Sequence, residues 1–330
     1  MTQRYLVTGG AGFIGSHIAE ALLRQGQEVI VIDNLATGKK SHLEVLMRVA
    51  ATPAVQEKGG SLCFVQGDLR DFSGLQEVVR GVDFILHQAA LPSVARSLED
   101  PQTTSQVNIE GTLNLLVAAY EARVKRFVYA SSSSVYGDSP VLPKHEDMPP
   151  QPLSPYAVSK LAGEQYCRVF AHVYGLETVS LRYFNVFGPR QNPYAQYAAV
   201  IPRFIHQILN GERPVVYGDG EQSRDFSYID NIVQANLLAL EAPEVSGMVC
   251  NIACGERITL NELLQELGKI FGQRIQAEYT TPRPGDVKHS QADISRARQL
   301  LRYRPIVGFA EGLRRTVAYI RQMEKERPER

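Results

Sequence analysis

Short apolar segments alternate with amphipathic ones from the start of the 330-residue chain, and this alternation constrains the fold more than any other feature. Residues 4–8 form a β-rich segment, and residues 13–24 then carry apolar side chains at the spacing of a helix. Residues 28–32 are nearly all apolar, which is typical of a strand buried on both faces of a parallel sheet. Comparable strands are predicted at residues 62–65, 84–86, 127–129 and 178–181. We therefore predict an α/β fold built on a Rossmann-type, doubly wound parallel sheet.

The alternation changes after about residue 185, where prolines become frequent and predicted strands become sparse. No glycine-serine linker separates the two parts of the chain, so we expect them to be in close contact. Helices are predicted in the second part at residues 229–241, 260–271 and 309–324. We predict a first domain at residues 1–184, with a returning segment near residues 225–245, and a smaller mixed α/β domain at residues 185–330.

The composition excludes several classes of partner. Lys and Arg together number 35, as do Asp and Glu, so the formal net charge is zero. Binders of nucleic acids and of membrane surfaces depend on basic patches, so we predict neither partner. No apolar segment approaches the roughly 20 residues that span a bilayer, and no signal peptide is recognised. The four cysteines and seven histidines lack metal-ligand spacing, so we predict no metal site and a cytoplasmic enzyme.

A glycine-rich turn follows the first predicted strand. Gly9, Gly12 and Gly15 stand three residues apart where the first helix begins. Glycines permit a tight turn, and a helix N-terminus offers N–H groups and a partial positive charge to a pyrophosphate. Asp33 ends the next strand, 18 residues after Gly15, about where an acid binds the ribose hydroxyls of a dinucleotide. A carboxylate there repels a 2′-phosphate, so the motif predicts NAD rather than NADP; an incidental glycine turn is the alternative.

A second motif predicts acid–base chemistry. Tyr156 and Lys160 are four residues apart, on one face of a predicted helix. A free tyrosine titrates near pH 10, and an adjacent ammonium together with a positive nicotinamide would lower its pKa. Such a tyrosine can take a hydroxyl proton as hydride leaves the same carbon. Ser132 follows a predicted strand and can relay the proton, although a chance pair and a flexible serine loop are the alternatives.

These motifs resemble the extended short-chain dehydrogenase/reductases, and among them the UDP-hexose 4-epimerases, most closely those that act on UDP-N-acetylglucosamine. The matching segments are TGGAGFIG at residues 8–15, the Ser–YxxxK set and RYFNVFGP at residues 182–189. The resemblance implies tightly bound, recycled NAD, with Tyr156 as base, Lys160 on the ribose and Ser132 as the catalytic serine. C4 of the sugar would be oxidised, the 4-keto sugar would turn, and hydride would return to the other face.

The resemblance also implies the ligand contacts. Those for NAD would be Gly9, Gly12, Phe13, Ile14, Gly15, Asp33, Asn34, Asp68, Leu69, Ala89, Ala90, Asn108, Tyr156 and Lys160. Those for the UDP-sugar would be Ser132, Ser133, Ser134, Asn185, Arg224, Arg283, Asp286 and Ser290. Among them Asn185, Arg224 and Arg283 would meet the pyrophosphate, since a guanidinium fork matches phosphate oxygens. Asp286 would bind the uridine ribose, and Asp68 would reach the adenine unless it only caps a helix. The resemblance further implies a homodimer formed through the helices predicted at residues 106–122 and 156–174.

The residue at position 290 indicates which sugar the enzyme accepts. Ser290 stands where epimerases restricted to glucose and galactose carry tyrosine, and Pro92 stands where they carry lysine. A small residue leaves space for an N-acetyl group. We therefore predict interconversion of UDP-N-acetylglucosamine and UDP-N-acetylgalactosamine, with UDP-glucose and UDP-galactose left open as a second pair. The alternative is that Ser290 only packs.

The same fold also serves three other functions. Nucleotide-sugar 4,6-dehydratases carry an Asp-Glu pair after the serine, and residues 132–136 lack it. A UDP-glucuronate 4-epimerase or decarboxylase stays open, because Arg96 can meet a C6 carboxylate as well as serve at the surface or on a phosphate. A non-catalytic NAD-sensing regulator would have lost part of the Ser–YxxxK set, which this chain retains.

Overall fold

The strands follow the predicted order. The computed structural model describes residues 2–195, 198–282 and 287–326. The strands within them are β1 (Arg4–Thr8), β2 (Glu28–Asp33), β3 (Ser61–Gln66), β4 (Phe84–His87), β5 (Arg126–Ser132), β6 (Thr178–Tyr183), β7 (Val186–Phe187), β8 (Val215–Tyr217), β9 (Ser223–Arg224), β10 (Ser227–Tyr228), β11 (Met248–Ile252), β12 (Ile258–Thr259) and β13 (Glu278–Thr280). Seven of them form one parallel sheet in the order β3-β2-β1-β4-β5-β6-β11. The order reverses between β1 and β4, the switch point of a doubly wound sheet, so the predicted α/β fold is confirmed.

Helices connect these strands and cover the sheet. They are α1 (Phe13–Arg24), α2 (Lys40–Ala50), α3 (Pro53–Gln56), α4 (Phe72–Val78), α5 (Val94–Glu99), α6 (Pro101–Ser105), α7 (Gly111–Glu121), α8 (Pro155–Tyr174), α9 (Val200–Leu209), α10 (Ile229–Glu241), α11 (Leu260–Phe271), α12 (Ser295–Leu301) and α13 (Phe309–Lys325). Tyr5 and Val7 belong to one apolar cluster and Leu6 to another, because successive residues of a strand point to opposite faces. The sheet is therefore buried on both faces.

The helix predicted at residues 106–122 begins differently from the prediction. Its first turn, Gln106–Glu110, is π-helical, and α7 starts only at Gly111. The hydroxyl of Thr112 donates a hydrogen bond to the backbone oxygen of Asn108 at 2.7 Å within this widened turn. The turn thus places a buried amide, Asn108, beside the loop after β4.

The second part of the chain adds small elements around the end of the sheet. Strand β7 pairs with β10, β9 with β12, and β8 with β13. Strand β11 returns to the central sheet beside β6 and lies beyond the returning segment predicted near residues 225–245. The division of the chain at residue 184 stays a prediction. Within the described part of the chain, no helix combines the length and the apolar character that crossing a bilayer requires.

Candidate active site

A cleft of about 800 Å³ opens at the carboxyl ends of β1, β2, β4 and β5. This is the edge at which doubly wound sheets bind ligands. Thirteen of the fourteen residues predicted to contact NAD line the cleft: Gly9, Gly12, Phe13, Ile14, Gly15, Asp33, Asn34, Asp68, Leu69, Ala89, Ala90, Tyr156 and Lys160. The cleft therefore joins the glycine turn to the Tyr–Lys pair within one cavity.

The glycine turn leaves no room for side chains. A Cβ atom on Gly15 would lie 2.3 Å from the backbone oxygen of Gly9, and one on Gly9 would lie 2.8 Å from Cα of Ala89. Gly9 also has a φ of 65°, a conformation that favours glycine. Helix α1 starts at Phe13, and no side chain caps it at Gly12. The first N–H groups of α1 thus face a cradle suited to a pyrophosphate.

Asp33 presents a carboxylate at the end of β2. The side chain accepts the backbone N–H of Ala11 at 3.0 Å and that of Leu35 at 2.8 Å. Burial raises its pKa above the ordinary value, and these two hydrogen bonds oppose the rise. Gly38 packs so closely that a Cβ there would lie 2.6 Å from Oδ1. A buried, fixed acceptor at this point fits the hydroxyls of a ribose.

Asp68 is bound to its neighbours. Its carboxylate accepts Nε of Arg70 at 2.9 Å and Nδ2 of Asn34 at 2.9 Å. These contacts, chiefly with Arg70, hold the pKa of Asp68 well below its usual range. The carboxylate is therefore ionised at neutral pH, at the adenine end predicted for the cleft.

Tyr156 and Lys160 lie on the first turns of α8. The helix starts at Pro155, and the hydroxyl of Ser154 accepts the N–H of Ala157 at 3.1 Å as its cap. Nζ of Lys160 donates to the backbone oxygen of Ala130 at 2.8 Å and lies 6.0 Å from the centre of the Tyr156 ring. The ammonium is therefore fixed between the end of β5 and the tyrosine.

The pKa of Tyr156 is shifted upward, whereas the sequence predicted a downward shift. Burial raises the pKa of Tyr156, while a hydrogen bond with Ser132 lowers it in part. Burial also lowers the pKa of Lys160 to about 8. The prediction of a lowered tyrosine pKa invoked the charges of Lys160 and of a nicotinamide. Within the chain alone, desolvation outweighs the attraction of an ammonium 6.0 Å from the ring.

The serine run begins in β5 and continues as the 3₁₀ turn Ser133–Tyr136. Ser131 lines the cleft and donates its hydroxyl to Glu164 at 2.5 Å. The Ser132 hydroxyl accepts the N–H of Ser134 at 3.2 Å, which orients it beside Tyr156. Ser132, Ser133 and Ser134 are all half-buried at this end of the strand. Predicted catalytic residues from two elements, β5 and α8, are thus brought together.

A second cavity of about 250 Å³ adjoins the cleft, and the two share Ala198 and Ala199. Of the predicted substrate residues, Asn185 and Arg224 line it. Nη1 of Arg224 donates to the backbone oxygens of Ser223 at 3.0 Å and Lys288 at 3.2 Å. The other lining residues were not predicted from the sequence; they include Phe187, Arg203, Tyr217, Gln222 and Phe226. No local sequence pattern marks these residues, because they come from several separate elements and meet only in the folded chain.

Three predicted substrate residues lie after β13. Arg283 and Asp286 fall outside the described residues. Ser290 donates its backbone N–H to the oxygen of Ser223 at 3.0 Å, which places it beside the strand of Arg224. Ser290 is half-buried and is not among the residues that line either cavity.

Asn108 does not line the cleft, unlike the other predicted NAD contacts. Its amide accepts the N–H of Leu91 at 2.8 Å, donates to the oxygen of Leu91 at 3.2 Å and donates to Ser159 Oγ at 3.1 Å. Leu91 and Pro92 line the cleft, as does Arg96. The buried amide therefore supports the wall of the cleft from behind.

A segment from the second part of the chain crosses to the glycine turn. Arg190 lines the cleft, donates to Ser16 Oγ at 3.3 Å and pairs with Glu20 on α1. The backbone oxygen of Pro189 is hydrogen-bonded to the His17 ring at 3.0 Å. Arg190 was not predicted as a site residue, because its position at the cleft depends on how distant segments of the chain pack.

A Rossmann sheet, a glycine turn with an acid after β2, and a Tyr–Lys pair beside a serine define a short-chain dehydrogenase/reductase. A family model described as the NAD dependent epimerase/dehydratase family matches residues 5–253. The chain belongs to this family. The predicted family and NAD as cofactor are confirmed.

Individual relatives match over nearly the full chain. A UDP-glucose 4-epimerase of Mycolicibacterium smegmatis is 36% identical over 322 residues, covering 97% of this chain and 99% of the relative. The structure of a UDP-N-acetylglucosamine 4-epimerase from Methanobrevibacter ruminantium with UDP-N-acetylmuramic acid has a TM-score of 0.89 and 42% identity, over 98% and 100% of the two chains. A UDP-glucuronic acid 4-epimerase from Bacillus cereus, with UDP-glucuronic acid and NAD, has a TM-score of 0.88 and 35% identity, over 97% and 100%. The chain is thus similar to three 4-epimerases named for different sugars.

Proposed function

We propose that this NAD-dependent epimerase inverts C4 of UDP-hexoses, and that its substrates are UDP-N-acetylglucosamine and UDP-N-acetylgalactosamine. The main support for this proposal is that two cavities adjoin each other and share Ala198 and Ala199. One joins the glycine turn to Tyr156 and Lys160, and the other contains Asn185 and Arg224. A cofactor and a nucleotide-sugar bound in adjoining cavities would bring the sugar to the Tyr156 hydroxyl.

The chain's own groups support a general-base role for Tyr156. Ser132 lowers the pKa of its hydroxyl in part, and Lys160 is held in place by its hydrogen bond to the oxygen of Ala130. The glycine turn and Asp33 would hold NAD, which would supply reversible hydride transfer at C4 and a positive ring that favours the phenolate. Tyr156 takes the proton of the 4-hydroxyl and later returns one. Ser132 orients that proton, and Lys160 stabilises the phenolate by its charge.

The nucleotide half of the substrate fits the second cavity. Phe187, Tyr217 and Phe226 provide aromatic faces, and Arg224 provides a cation for the diphosphate. The oxygens that bond Nη1 of Arg224 hold the guanidinium in one orientation, which lowers the entropy lost on binding.

The preference for acetamido sugars rests on Ser290. This small residue lies in a backbone-paired segment next to Arg224, and Pro92 offers a further uncharged position in the cleft wall. The similarity to a UDP-N-acetylglucosamine 4-epimerase agrees with this choice. Ser290 lines neither cavity, so this choice rests on the resemblance, in which a ring at position 290 fills the volume that an N-acetyl group needs.

Substrate kinetics test the proposal. The wild-type chain is expected to turn over both acetylated UDP-sugars. Ser290→Tyr is expected to lower their turnover about 5- to 150-fold while sparing UDP-glucose and UDP-galactose, because forcing a ring into the space of an N-acetyl group costs about 1–3 kcal/mol. Ser290→Ala, which keeps the position small, is the matched control and should retain the acetylated pair. Negligible wild-type turnover of both acetylated sugars would contradict the proposal.

The same assay includes UDP-glucuronate. Arg96 lines the cleft and can meet a C6 carboxylate, and one similar structure is a UDP-glucuronic acid 4-epimerase. Preferred turnover of UDP-glucuronate, with epimer or decarboxylated product, would favour this second function. A chain that binds NAD and turns over none of these sugars would instead fit an NAD-sensing regulator. The retained Ser132, Tyr156 and Lys160 argue against that outcome.

We further propose that the protein is a homodimer. Apolar side chains are exposed on α5, α7 and α8: Leu98, Tyr120, Val158, Val169, Val173 and Tyr174. The rings of Tyr120 and Tyr174 lie 5.3 Å apart, so exposed apolar side chains of the two longer helices are in contact where these helices end. An uncovered face of this kind marks an interaction surface, and a twofold axis would cover it with a second copy.

Light scattering after size exclusion tests the dimer. Val173→Glu, at a side chain 70% exposed, is expected to halve the measured mass, because burying a carboxylate in an apolar interface is costly. Ile306→Glu is the matched control, since Ile306 is 60% exposed and lies outside these helices. A wild-type chain that already runs as a monomer would contradict the proposal.

A further inference from the structure

The carboxylate of Asp225 joins three separate segments beside the second cavity. Oδ1 accepts the backbone N–H of Cys254 at 2.9 Å, and Oδ2 accepts those of Gly255 at 3.0 Å and Ala292 at 3.1 Å. The residue is 0% exposed. A carboxylate that accepts three N–H groups is suited to its ionised form, because every bond uses it as an acceptor.

Asp225 is linked to three of the proposed substrate contacts. Arg224 directly precedes it and lines the second cavity. The backbone oxygen of Asp225 accepts Nδ2 of Asn185 at 3.1 Å. Its side chain holds Ala292, two residues after Ser290. These contacts act behind the cavity wall, and Asp225 itself does not line the cavity.

The segment that carries Ser290 is bound on both edges. On one edge, the N–H of Ser290 donates to Ser223, and that of Ser223 donates to Lys288, each at 3.0 Å. On the other edge, the N–H of Lys144 donates to the oxygen of Gln291 at 2.8 Å. The hydrogen bond from Ala292 to Asp225 fixes the end of this segment, residues 287–292, against the turn at Gly255.

We propose that Asp225 is a positioning residue for the nucleotide-sugar: its carboxylate holds residues 287–292 against Arg224 and Asn185. The inference rests on the proposed function, since it takes the second cavity to bind the UDP moiety. Asp225 does not line the cleft that contains Tyr156 and Lys160 and that would hold the cofactor. Its loss is therefore expected to raise KM for every UDP-sugar and to leave kcat and bound NAD nearly unchanged.

The charge state of Asp225 gives the proposal a pH signature. Burial raises the pKa of Asp225 to about 7, and the carboxylate of Glu256 adds to the rise. The Cys254 thiol and the Tyr303 hydroxyl also face Asp225, and their raised pKa values keep both neutral at pH 7. Protonation turns one acceptor oxygen into a donor that faces backbone N–H groups. Substrate affinity is therefore expected to fall as the pH drops through 7.

The test compares Asp225→Asn with Glu256→Gln, which removes a neighbouring charge without touching the three N–H groups. KM, kcat and bound NAD are measured with UDP-N-acetylglucosamine and UDP-glucose at about pH 8 and about pH 6. Asp225→Asn is expected to raise KM about 10- to 100-fold at the higher pH, the range for a lost hydrogen bond to a charged group. Its KM should no longer depend on pH. Glu256→Gln should keep the wild-type KM at about pH 8, and its rise in KM should begin at a lower pH, because the Glu256 carboxylate adds to the raised pKa of Asp225.

Two controls separate positioning from general stability. The pKa of Asp225 in the fold lies above its unfolded value of about 3.9, so its protonation below pH 7 stabilises the fold. Weaker binding at the lower pH, without a lower Tm, thus does not reflect unfolding. His289 pairs with Ser223, and its pKa is lowered, so His289→Gln tests the other titrating group of the segment. The wild-type pH dependence should persist in that variant.

The outcomes are distinguishable. An unchanged KM in Asp225→Asn contradicts the inference, as does a pH dependence that disappears in His289→Gln. If Asp225→Asn fails to retain NAD, the pH dependence of KM in the wild type and in His289→Gln decides between support for the inference and its rejection. A wild-type chain that turns over no UDP-sugar contradicts the proposed function instead.

Discussion

Replacing Tyr156 by phenylalanine is expected to lower kcat for epimerisation by about 10²- to 10⁴-fold, the usual contribution of a general base. The substitution keeps the ring on α8 and removes only the hydroxyl that is proposed to take the proton. Lys160 keeps its bond to the oxygen of Ala130, so bound NAD and KM should change little. Initial rates at saturating UDP-sugar, with the NAD content measured on the same sample, check this result.

Tyr166→Phe provides the matched control for that experiment. Tyr166 lies on the same helix, α8, but not on the cleft, so its loss should leave kcat near the wild-type value. A Tyr156→Phe enzyme that works within a few-fold of the wild type would contradict the assignment of the base. Such a result would direct the search to Ser132 and to the neighbouring hydroxyls at the end of β5.

Replacing Glu164 by glutamine is expected to lower the free energy of unfolding by about 3–5 kcal/mol, the cost of leaving one partner of a buried ion pair uncompensated. Glu164 accepts Nε of Arg182 at 2.8 Å and Nη2 at 2.7 Å, and the two side chains are 1% and 4% exposed. The guanidinium would stay buried without its counter-charge. Urea unfolding of the NAD-loaded chain measures the loss.

Two further variants show whether burial is the cause. Glu266→Gln breaks the Lys269–Glu266 pair, in which the lysine is 71% exposed, and should cost less than about 1 kcal/mol. The double variant Glu164→Leu/Arg182→Met should recover most of the stability, because apolar residues can replace a buried pair without leaving a charge. Equal losses at the buried and exposed pairs would overturn this account.

Elements with local signals could be predicted from the sequence. Helix α11 was expected at residues 260–271 and is found there, because Thr259 and Glu262 form a capping box and Gly272 ends the helix with a φ of 68°. Helix α1 was likewise expected at its observed bounds, since the glycine turn fixes its start. The buried strands were recognisable because a strand covered on both faces is apolar throughout.

Features that depend on packing could not be predicted in the same way. The π-helical turn at Gln106–Glu110 positions Asn108 for hydrogen bonds with Leu91 and Ser159. Both partners are distant in sequence, so no local pattern predicts the turn. The raised pKa of Tyr156 follows from burial by several elements, so a pair of residues four apart could not reveal its direction. The approach of Arg190 to α1 is also a tertiary contact.

The position of β11 has a consequence for synthesis of the chain. This strand pairs with β6 along five residues, so β6 is an inner strand only after residue 252 has been made. Until then, a growing chain that has completed β1 to β6 exposes the unpaired backbone edge of β6, which is a template for association with other chains. Arg126 at the start of β5 also donates to the carbonyls of Ala239 and Leu240 at the end of α10 and to that of Ala242 just after it. The central sheet therefore cannot be completed during synthesis until residues 239–252, which are translated much later than β1 to β5, have been made.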